Sequence, residues 1–243
     1  MNSKPSEELQ NRYERQLGLL GEKGQEAIRN SSVAVVGLGG LGSPAATYLA
    51  IAGIGKLVII DHDEVTANNL NRQFLHWDED LTRKKTDSAR GKLKKLNSDL
   101  SVEPLELKLT SGNVESLPRV DLLVGSVDNF RARYLLNDLA IDRKIPYIHG
   151  AVEGLRGQLT TIIPGDTPCL RCIFPDDPPD KTGIPILGTT AGLIGTMMAS
   201  EAIKYLTDKG KLLKGKLMLA DLNSNEFEYI TAQKNPNCPA CGS

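Results

Sequence analysis

A glycine-rich segment at residues 37–42 constrains the fold more than any other feature of the sequence. Its glycines fit the pattern G-x-G-x-x-G with one addition: Gly37, Gly39, Gly40 and Gly42. The β-branched run Val33–Val36 precedes them, and the stretch after them carries Pro44 near its start and Gly53 at its end. A strand that enters a helix through such a turn lets backbone amides approach a phosphate. The segment therefore predicts a βαβ unit that binds a nucleotide.

Apolar, β-branched runs alternate with helical stretches through the first 150 residues. The runs are Val33–Val36, Leu57–Ile60, Val102–Leu107, Leu122–Gly125 and Tyr147–Ile148. Later runs cover 158–163, 216–220 and 227–231, without a helix between the last two. Alternation predicts a parallel sheet with helices on both faces, and the later pattern predicts antiparallel strands. We expect one Rossmann-like, doubly wound domain over 1–243, its mostly parallel sheet extended by antiparallel strands.

The charge and the termini exclude several classes of partner. The formal net charge is -1, so no global field attracts nucleic acid or an anionic membrane. The uncharged stretch 33–55 has the length of a membrane span, but Pro44 and the glycines interrupt it. Residues 1–10 lack the apolar core of a secretion signal. We therefore expect a cytoplasmic protein that binds neither nucleic acid nor membrane.

Polar residues follow the second predicted strand. Asp61 closes that strand, where an acidic side chain can accept hydrogen bonds from a ribose. The glycines and Asp61 alone favour an NAD-dependent oxidoreductase. The residues further along suit a triphosphate better, because cations and amides can stabilise a leaving pyrophosphate. They are Asp63, Asn69, Arg72, Gln73 and Lys85. The alternative for each of them is a polar loop that faces water.

Asp128 and Asn129 end the fourth predicted strand, at the edge where doubly wound sheets bind ligands. Magnesium prefers one or two carboxylates together with phosphates and waters, so Asp128 is a candidate Mg²⁺ ligand. The alternative role for Asp128 is the N-cap of a helix predicted over Arg131–Ala140.

The four cysteines form two C-x-x-C pairs, Cys169 with Cys172 and Cys238 with Cys241. Paired knuckles of this spacing predict a structural, four-thiolate zinc site. Two redox disulfides are the alternative. The three histidines, His62, His76 and His149, form no spaced pair, and we assign them no role.

The residues combine into a recognisable pattern that covers about Arg12 to Cys241. In order it comprises Arg12-Tyr13-x-Arg15-Gln16, the glycines of 37–42, Asp61-x-Asp63, Asn69-Leu-x-Arg72-Gln73, Lys85, Asp128-Asn129, the two C-x-x-C pairs and the helix start at Gly192–Gly195. The sequence resembles the MoeB/ThiF/HesA family, relatives of the adenylation domains in ubiquitin-activating enzymes. It is closest in kind to MoeB.

The resemblance implies a homodimer that binds ATP and Mg²⁺. Asp61 would hold the ribose, Asp128 the magnesium, and Asn69, Arg72 and Lys85 the phosphates, with Asp63, Gln73 and Asn129 also lining the nucleotide site. Arg15 would reach into the site of the partner subunit. The protein substrate would be a ubiquitin-like sulfur carrier ending in Gly-Gly, whose carboxylate attacks the α-phosphate. The proline-rich segment 175–188 would be a mobile crossover loop above the carrier's tail.

One position departs from many members of the family, which have a cysteine in the crossover loop. The matching residue here is Ile184, and no cysteine lies outside the two C-x-x-C pairs. A chain without that thiol should stop at the adenylate, which favours a MoaD-like carrier and molybdopterin synthesis. A ThiS-like carrier in thiamine synthesis, tRNA thiolation and protein tagging are alternatives. An NAD-dependent oxidoreductase and a non-catalytic binding module are the hypotheses from other classes.

Overall fold

A computed structural model describes residues 7–176 and 183–242. The strands are β1 (Ser32–Val36), β2 (Lys56–Asp61), β3 (Ser101–Glu106), β4 (Leu122–Gly125), β5 (Tyr147–Glu153), β6 (Arg156–Ile162), β7 (Lys216–Asp221) and β8 (Glu226–Thr231). They form one sheet in the order β3-β2-β1-β4-β5-β6-β7-β8. The first five strands in that order pair in parallel, and the remaining pairs are antiparallel. The expected Rossmann-like sheet with an antiparallel extension is confirmed.

Helices cover both faces of the sheet. They are α1 (Glu7–Arg29), α2 (Gly42–Ala52), α3 (Lys85–Leu96), α4 (Phe130–Arg143), α5 (Leu170–Ile173) and α6 (Gly188–Thr207), with 3₁₀ turns at 67–69, 78–80 and 114–116. Alternate residues of β1 enter two separate cores: Val33 and Val35 pack with α2 and α6, while Ala34 and Val36 pack with α4. A strand buried on both faces has no polar side, so its sequence is continuously apolar.

The uncharged stretch 33–55 folds as β1, a glycine turn and α2. Pro44 lies in the first turn of α2, where its missing N–H costs nothing. Gly53 ends the helix in the left-handed conformation at φ 92°, and its N–H donates to the carbonyl oxygens of Leu49 and Ala50. Within 7–176 and 183–242, no helix is long and apolar enough to cross a membrane.

The fifth strand is longer than the two residues predicted for it. Tyr147 and Ile148 pair with β4 in parallel, but the strand runs on to Glu153 and pairs with β6 along its whole length. Sequence periodicity missed the second half because Gly150 interrupts the apolar run. This strand joins the parallel half of the sheet to the antiparallel half.

The start of α2 and the middle of α6 meet at Gly195. A Cβ on Gly195 would lie 2.3 Å from the carbonyl oxygen of Leu41 and 2.4 Å from Cγ of Pro44. Gly192, three residues earlier in α6, has no heavy atom within 4 Å of the corresponding point. The absence of a side chain at Gly195 therefore allows α6 to pack directly on the first turn of α2.

We expect the substitution Gly195→Ala to lower the free energy of unfolding by about 2 kcal/mol, because its Cβ would push α6 away from α2. The matched substitution Gly192→Ala should raise the free energy of unfolding by up to about 1 kcal/mol through helix propensity alone. Urea denaturation of the two variants measures both changes. Equal effects at the two positions would contradict this account of the α2–α6 contact.

Candidate active site

The glycine segment closes a tight turn between β1 and α2. A Cβ on Gly42 would lie 1.8 Å from the carbonyl oxygen of Gly37, and Gly37 itself has a φ of 92°. Among the described residues, none accepts a hydrogen bond from the N–H groups of residues 39–42. Adjacent free amides at the start of a helix form an anion-binding site. The geometry fits the nucleotide turn that the sequence predicts.

Asp61 is bound to this turn. Its Oδ2 accepts from the N–H of Leu38 at 2.7 Å, and its Oδ1 accepts from the N–H of Asp63 at 2.8 Å. The carboxylate therefore holds the backbone of the glycine turn at Leu38 and the backbone just after β2 at Asp63. Sequence analysis assigned Asp61 to a ribose and missed this contact with the turn.

Lys85 begins α3 and points into the protein, with its side chain 5% exposed. Its Nζ contacts Oδ2 of Asp63 at 3.0 Å. Burial alone would raise the pKa of Asp63, but the hydrogen bond and charge of Lys85 outweigh burial and hold that pKa below its ordinary value. The two predicted residues thus form an ion pair next to the end of β2.

The segment 66–73 brings its polar residues to the same turn. A Cβ on Gly40 would lie 3.6 Å from Cγ of Arg72, and a Cβ on Gly39 would lie 3.6 Å from Nε2 of Gln73. Oε1 of Gln73 is buried without a partner among the described residues. Asn69 bonds within the segment, where its Nδ2 donates to Oδ1 of Asn68. Arg72 and Gln73 therefore adjoin the free amides.

The end of β4 presents Asp128 and Asn129. Oδ1 of Asn129 accepts from the N–H of Ala132 at 2.9 Å, which makes Asn129 the N-cap of α4. The cap role considered for Asp128 therefore belongs to its neighbour. Asp128 is exposed and accepts a hydrogen bond from Nδ2 of Asn129 at 3.1 Å. An exposed carboxylate at this edge suits a cation.

A cavity of about 550 Å³ begins at Asp128 and extends over β5, β6, β7 and β8. Phe130, Phe174 and Ile184 form apolar walls, while charged residues such as Glu153 and Arg156 form the rim. This cavity was not predicted from the sequence, because its lining comes mainly from two hairpins, β5–β6 and β7–β8, that are far apart in the chain. The one indication of it in the sequence is the alternation within β8, which places Glu226 and Glu228 on the same face of the strand.

The predicted crossover loop, 175–188, includes residues 177–182, which lie outside the described part of the chain. Its last residues cross the β5–β6 turn: the N–H of Gly154 donates to Pro185 at 2.7 Å, and the N–H of Leu187 donates to Gly154 at 3.4 Å. Ile184 lines the cavity at this crossing.

Arg15 is not brought to the glycine turn of its own subunit. It lies on α1 two residues after Tyr13, whose hydroxyl accepts from Asn97 at the end of α3 and whose ring packs against Gly53 at the end of α2. The turn lies at the other end of α2, which has 11 residues and spans about 16 Å. Arg15 therefore occupies the opposite edge of the sheet.

The four cysteines meet as predicted. Sγ of Cys169 lies 3.9 Å from Cys172 and 3.5 Å from Cys238, and Sγ of Cys172 lies 3.4 Å from Cys241. The four sulfur atoms lie within 4.8 Å of one another, and all four cysteines are free thiols. Tetrahedral thiolates around a metal at about 2.3 Å lie roughly 3.8 Å apart. The cluster could therefore hold a metal ion.

His76, to which we assigned no role, contacts the glycine turn. It is 2% exposed, and its Nε2 lies 3.0 Å from the carbonyl oxygen of Leu38. Burial lowers the pKa of His76 to about 4, with contributions from Lys85 and Lys92. No motif includes His76, and a lone histidine between Leu75 and Trp77 is uninformative, so this residue could not be singled out from the sequence.

Comparison with known proteins identifies the family of this chain. The ThiF family matches residues 13–240. The SAMP-activating enzyme E1 of Haloferax volcanii is 43% identical over 239 residues, which cover 95% of this chain and 88% of that protein. The sulfur carrier protein adenylyltransferase of Thermus thermophilus is 40% identical over 250 residues, covering 97% and 92%. A crystal structure of E. coli MccB with MccA-N7isoASN has the same fold, with a TM-score of 0.86 at 23% identity over 100% of this chain and 76% of that one.

A Rossmann-like sheet with a free-amide turn, matched over nearly its whole length by relatives named as adenylyltransferases, defines an enzyme of the adenylyltransferase class. The chain belongs to the ThiF family.

Proposed function

We propose that the chain uses ATP to adenylylate the C-terminal glycine carboxylate of a ubiquitin-like sulfur carrier that ends in Gly-Gly. One observation supports this proposal above the others: the glycine turn packs against Ser126 and Val127 at the end of β4, and the cavity that could admit a peptide tail begins at the next residue, Asp128. A phosphate site and a tail channel that meet at the end of one strand suit a reaction between a nucleotide and a polypeptide end.

The triphosphate lies over the glycine turn in this proposal. The N–H groups of residues 39–42 and the start of α2 stabilise phosphate oxygens. Asp61 accepts from the ribose through its remaining lone pairs, while Asn69, Arg72 and Lys85 contact the phosphates. Because Lys85 is nearly buried and already paired with Asp63, its charge is held in place before ATP arrives.

The reaction requires positioning and charge stabilisation, with no protein nucleophile. A carboxylate oxygen of the carrier attacks the α-phosphorus of ATP. The bond between the α-phosphorus and the oxygen that bridges it to the β-phosphorus breaks. The products are the carrier acyl-adenylate and pyrophosphate, which takes the electron pair of the broken bond. Arg72 and Lys85 stabilise the charge that develops on the leaving group.

Asp128 is the candidate ligand of magnesium. Its carboxylate is exposed at the edge of the sheet and retains free lone pairs, which fits a cation that also binds phosphates and waters. Magnesium bound there would supply charge neutralisation between the phosphates. Asn129 orients the carboxylate through its hydrogen bond to Oδ1.

The carrier's tail passes through the cavity, under residues 184–187. Two glycines suit a channel with the apolar side chains of Phe130, Phe174 and Ile184 on its walls. Since Ile184 occupies the position of the family's loop cysteine, the chain releases the adenylate rather than forming a thioester. We assign the activity to a MoaD-like carrier in molybdopterin synthesis, and a ThiS-like carrier is the alternative.

ATP–pyrophosphate exchange tests this function. Purified protein with Mg²⁺ should catalyse exchange only with an intact carrier, and removal of the carrier's last two glycines should abolish exchange because the nucleophile is lost. Comparison of MoaD-like and ThiS-like carriers identifies the pathway. Binding of ATP without exchange on any carrier would argue against the proposal.

The substitution Asp128→Ala separates catalysis from mere docking. We expect a loss of exchange of at least about a hundredfold, because the metal that neutralises the phosphates would be lost. Carrier binding, measured by calorimetry, should stay within about threefold of the unsubstituted protein. Glu228→Ala, at the far rim of the cavity, is the control that keeps Asp128. A non-catalytic binding module would show no exchange in any of these proteins.

We further propose a homodimer in which Arg15 serves the partner's site. The position of Arg15 supports this arrangement, since the residue is exposed at the far edge of its own sheet and cannot reach the glycine turn of its own subunit. An arginine supplied by the partner subunit stabilises the charge that develops in the transition state.

Subunit mixing checks the arrangement in trans. Arg15→Ala and Asp128→Ala should each be inactive alone. After reassociation, half of the dimers combine one of each, and one of their two sites is complete, so about a quarter of all sites should regain activity. Mixtures that stay inactive although the subunits exchange would place Arg15 outside the partner's site.

The four cysteines hold zinc in this proposal, because the thiolate set and the sulfur separations fit that ion. Reduced thiols of this kind agree with a cytoplasmic location. Native mass spectrometry should show one zinc per chain, and Cys238→Ser should lose both the zinc and a large part of the stability. A chain that keeps its melting temperature after complete chelation would contradict a structural zinc.

A further inference from the structure

Side chains hold both peptide groups of Leu38, the one before it and the one that joins it to Gly39. The N–H of Leu38 donates to Asp61, and its carbonyl oxygen accepts from Nε2 of His76 at 3.0 Å, with a longer contact from Ser43 at 3.3 Å. In a planar trans peptide the C=O and the next N–H point in opposite directions. A fixed Leu38 carbonyl therefore fixes the direction of the Gly39 N–H, the first free amide of the turn.

The hydrogen bonds define the protonation of His76. A carbonyl can only accept, so Nε2 carries the proton, and Nδ1 accepts from the hydroxyl of Ser88 at 2.9 Å. Burial and the charges of Lys85 and Lys92 disfavour a second proton, although Asp61 and the bond to Leu38 act in the opposite direction. His76 is therefore neutral at pH 7 and has the tautomer that the Leu38 carbonyl needs.

The same contacts lead onwards to α3. Ser88 accepts from Nζ of Lys92 at 2.9 Å, and Lys92 pairs with the buried carboxylate of Asp80. Ser88 and Lys92 lie three and seven residues after Lys85, so all three share one face of the helix. A continuous chain of buried hydrogen bonds thus connects the glycine turn to the helix that carries Lys85.

We propose that His76 is a positioning residue for nucleotide binding. It aims the Gly39 N–H at the phosphates and holds the glycine turn in a fixed position relative to Lys85. The inference rests on the proposed function, because it assumes that a nucleotide binds at this turn. His76 touches no substrate and acts through the Leu38–Gly39 peptide and through Ser88.

Two substitutions at the same site separate orientation from packing. His76→Phe keeps an aromatic ring but leaves the Leu38 carbonyl without its main donor. We expect the KM for ATP to rise about tenfold with little change in kcat, because a misdirected amide weakens ground state and transition state alike. His76→Gln can still donate from Nε2, and should restore the KM to within about threefold.

Asn97→Leu is the matched control for lost stability. Asn97 is 1% exposed and donates two hydrogen bonds, to Tyr13 and to the carbonyl oxygen of Ala50, at the opposite edge of the sheet. Its removal should destabilise the fold without changing the KM for ATP. If Asn97→Leu raised that KM as much as His76→Phe, general destabilisation would explain both and the positioning role would be wrong.

Hydrogen–deuterium exchange of the Gly37 and Leu38 amides, both of which are hydrogen-bonded, gives a readout that needs no nucleotide. Exchange should accelerate several-fold in His76→Phe and stay at the original rate in His76→Gln. An unchanged rate in His76→Phe would overturn the inference while leaving ATP binding intact. Faster exchange in a protein that fails to bind ATP would instead reject the proposed function and leave the contact between His76 and the turn established.

Discussion

The close approach of Gly42 to the carbonyl oxygen of Gly37 is the constraint on which the rest of the site depends. A side chain at Gly42 would collide with that oxygen at 1.8 Å, so only glycine lets the chain turn from β1 into α2 at this distance. The turn leaves its amides free and brings Arg72 and Gln73 to one side and the end of β4 to the other. Each neighbouring element is positioned relative to this turn.

The fold could be predicted from sequence because its strongest determinants are local. The continuous apolar run of β1, Pro44 at the start of α2 and Gly53 at its end specify the first βαβ unit without reference to the rest of the chain. The paired C-x-x-C knuckles were equally informative, since they predicted that the four cysteines come together, and the fold brings their sulfur atoms within 4.8 Å of one another. Strand boundaries moved by at most two residues except in β5, and α4 ends at Arg143, three residues beyond its predicted end.

The site was only partly predictable, for a physical reason. Asp61 and Lys85 follow motifs, but the contacts between motifs are not visible in the sequence: Asp61 binds the Leu38 amide, and Lys85 binds Asp63. His76 acquires its place only when the segment 66–84 folds back onto the turn. The cavity depends on the pairing of β6 with β7, two strands that are far apart in the chain and that no local pattern joins. The sequence therefore indicates which residues are charged, and the tertiary structure determines which partner each charged side chain contacts.

The cysteine cluster also has a topological consequence. Cys169 and Cys238 are 69 residues apart, and the segment between them includes α6, β7, β8 and seven of the sixteen residues that line the cavity. When four thiolates share one ion, this whole stretch becomes a closed ring rather than a free tail. The last two strands lie at the edge of the sheet and would otherwise be the first to detach. An ion bound by the four thiolates would tie residues 238–241 to residues 169–172. It would thereby keep β7 and β8, which form part of the cavity wall, from separating from the rest of the sheet.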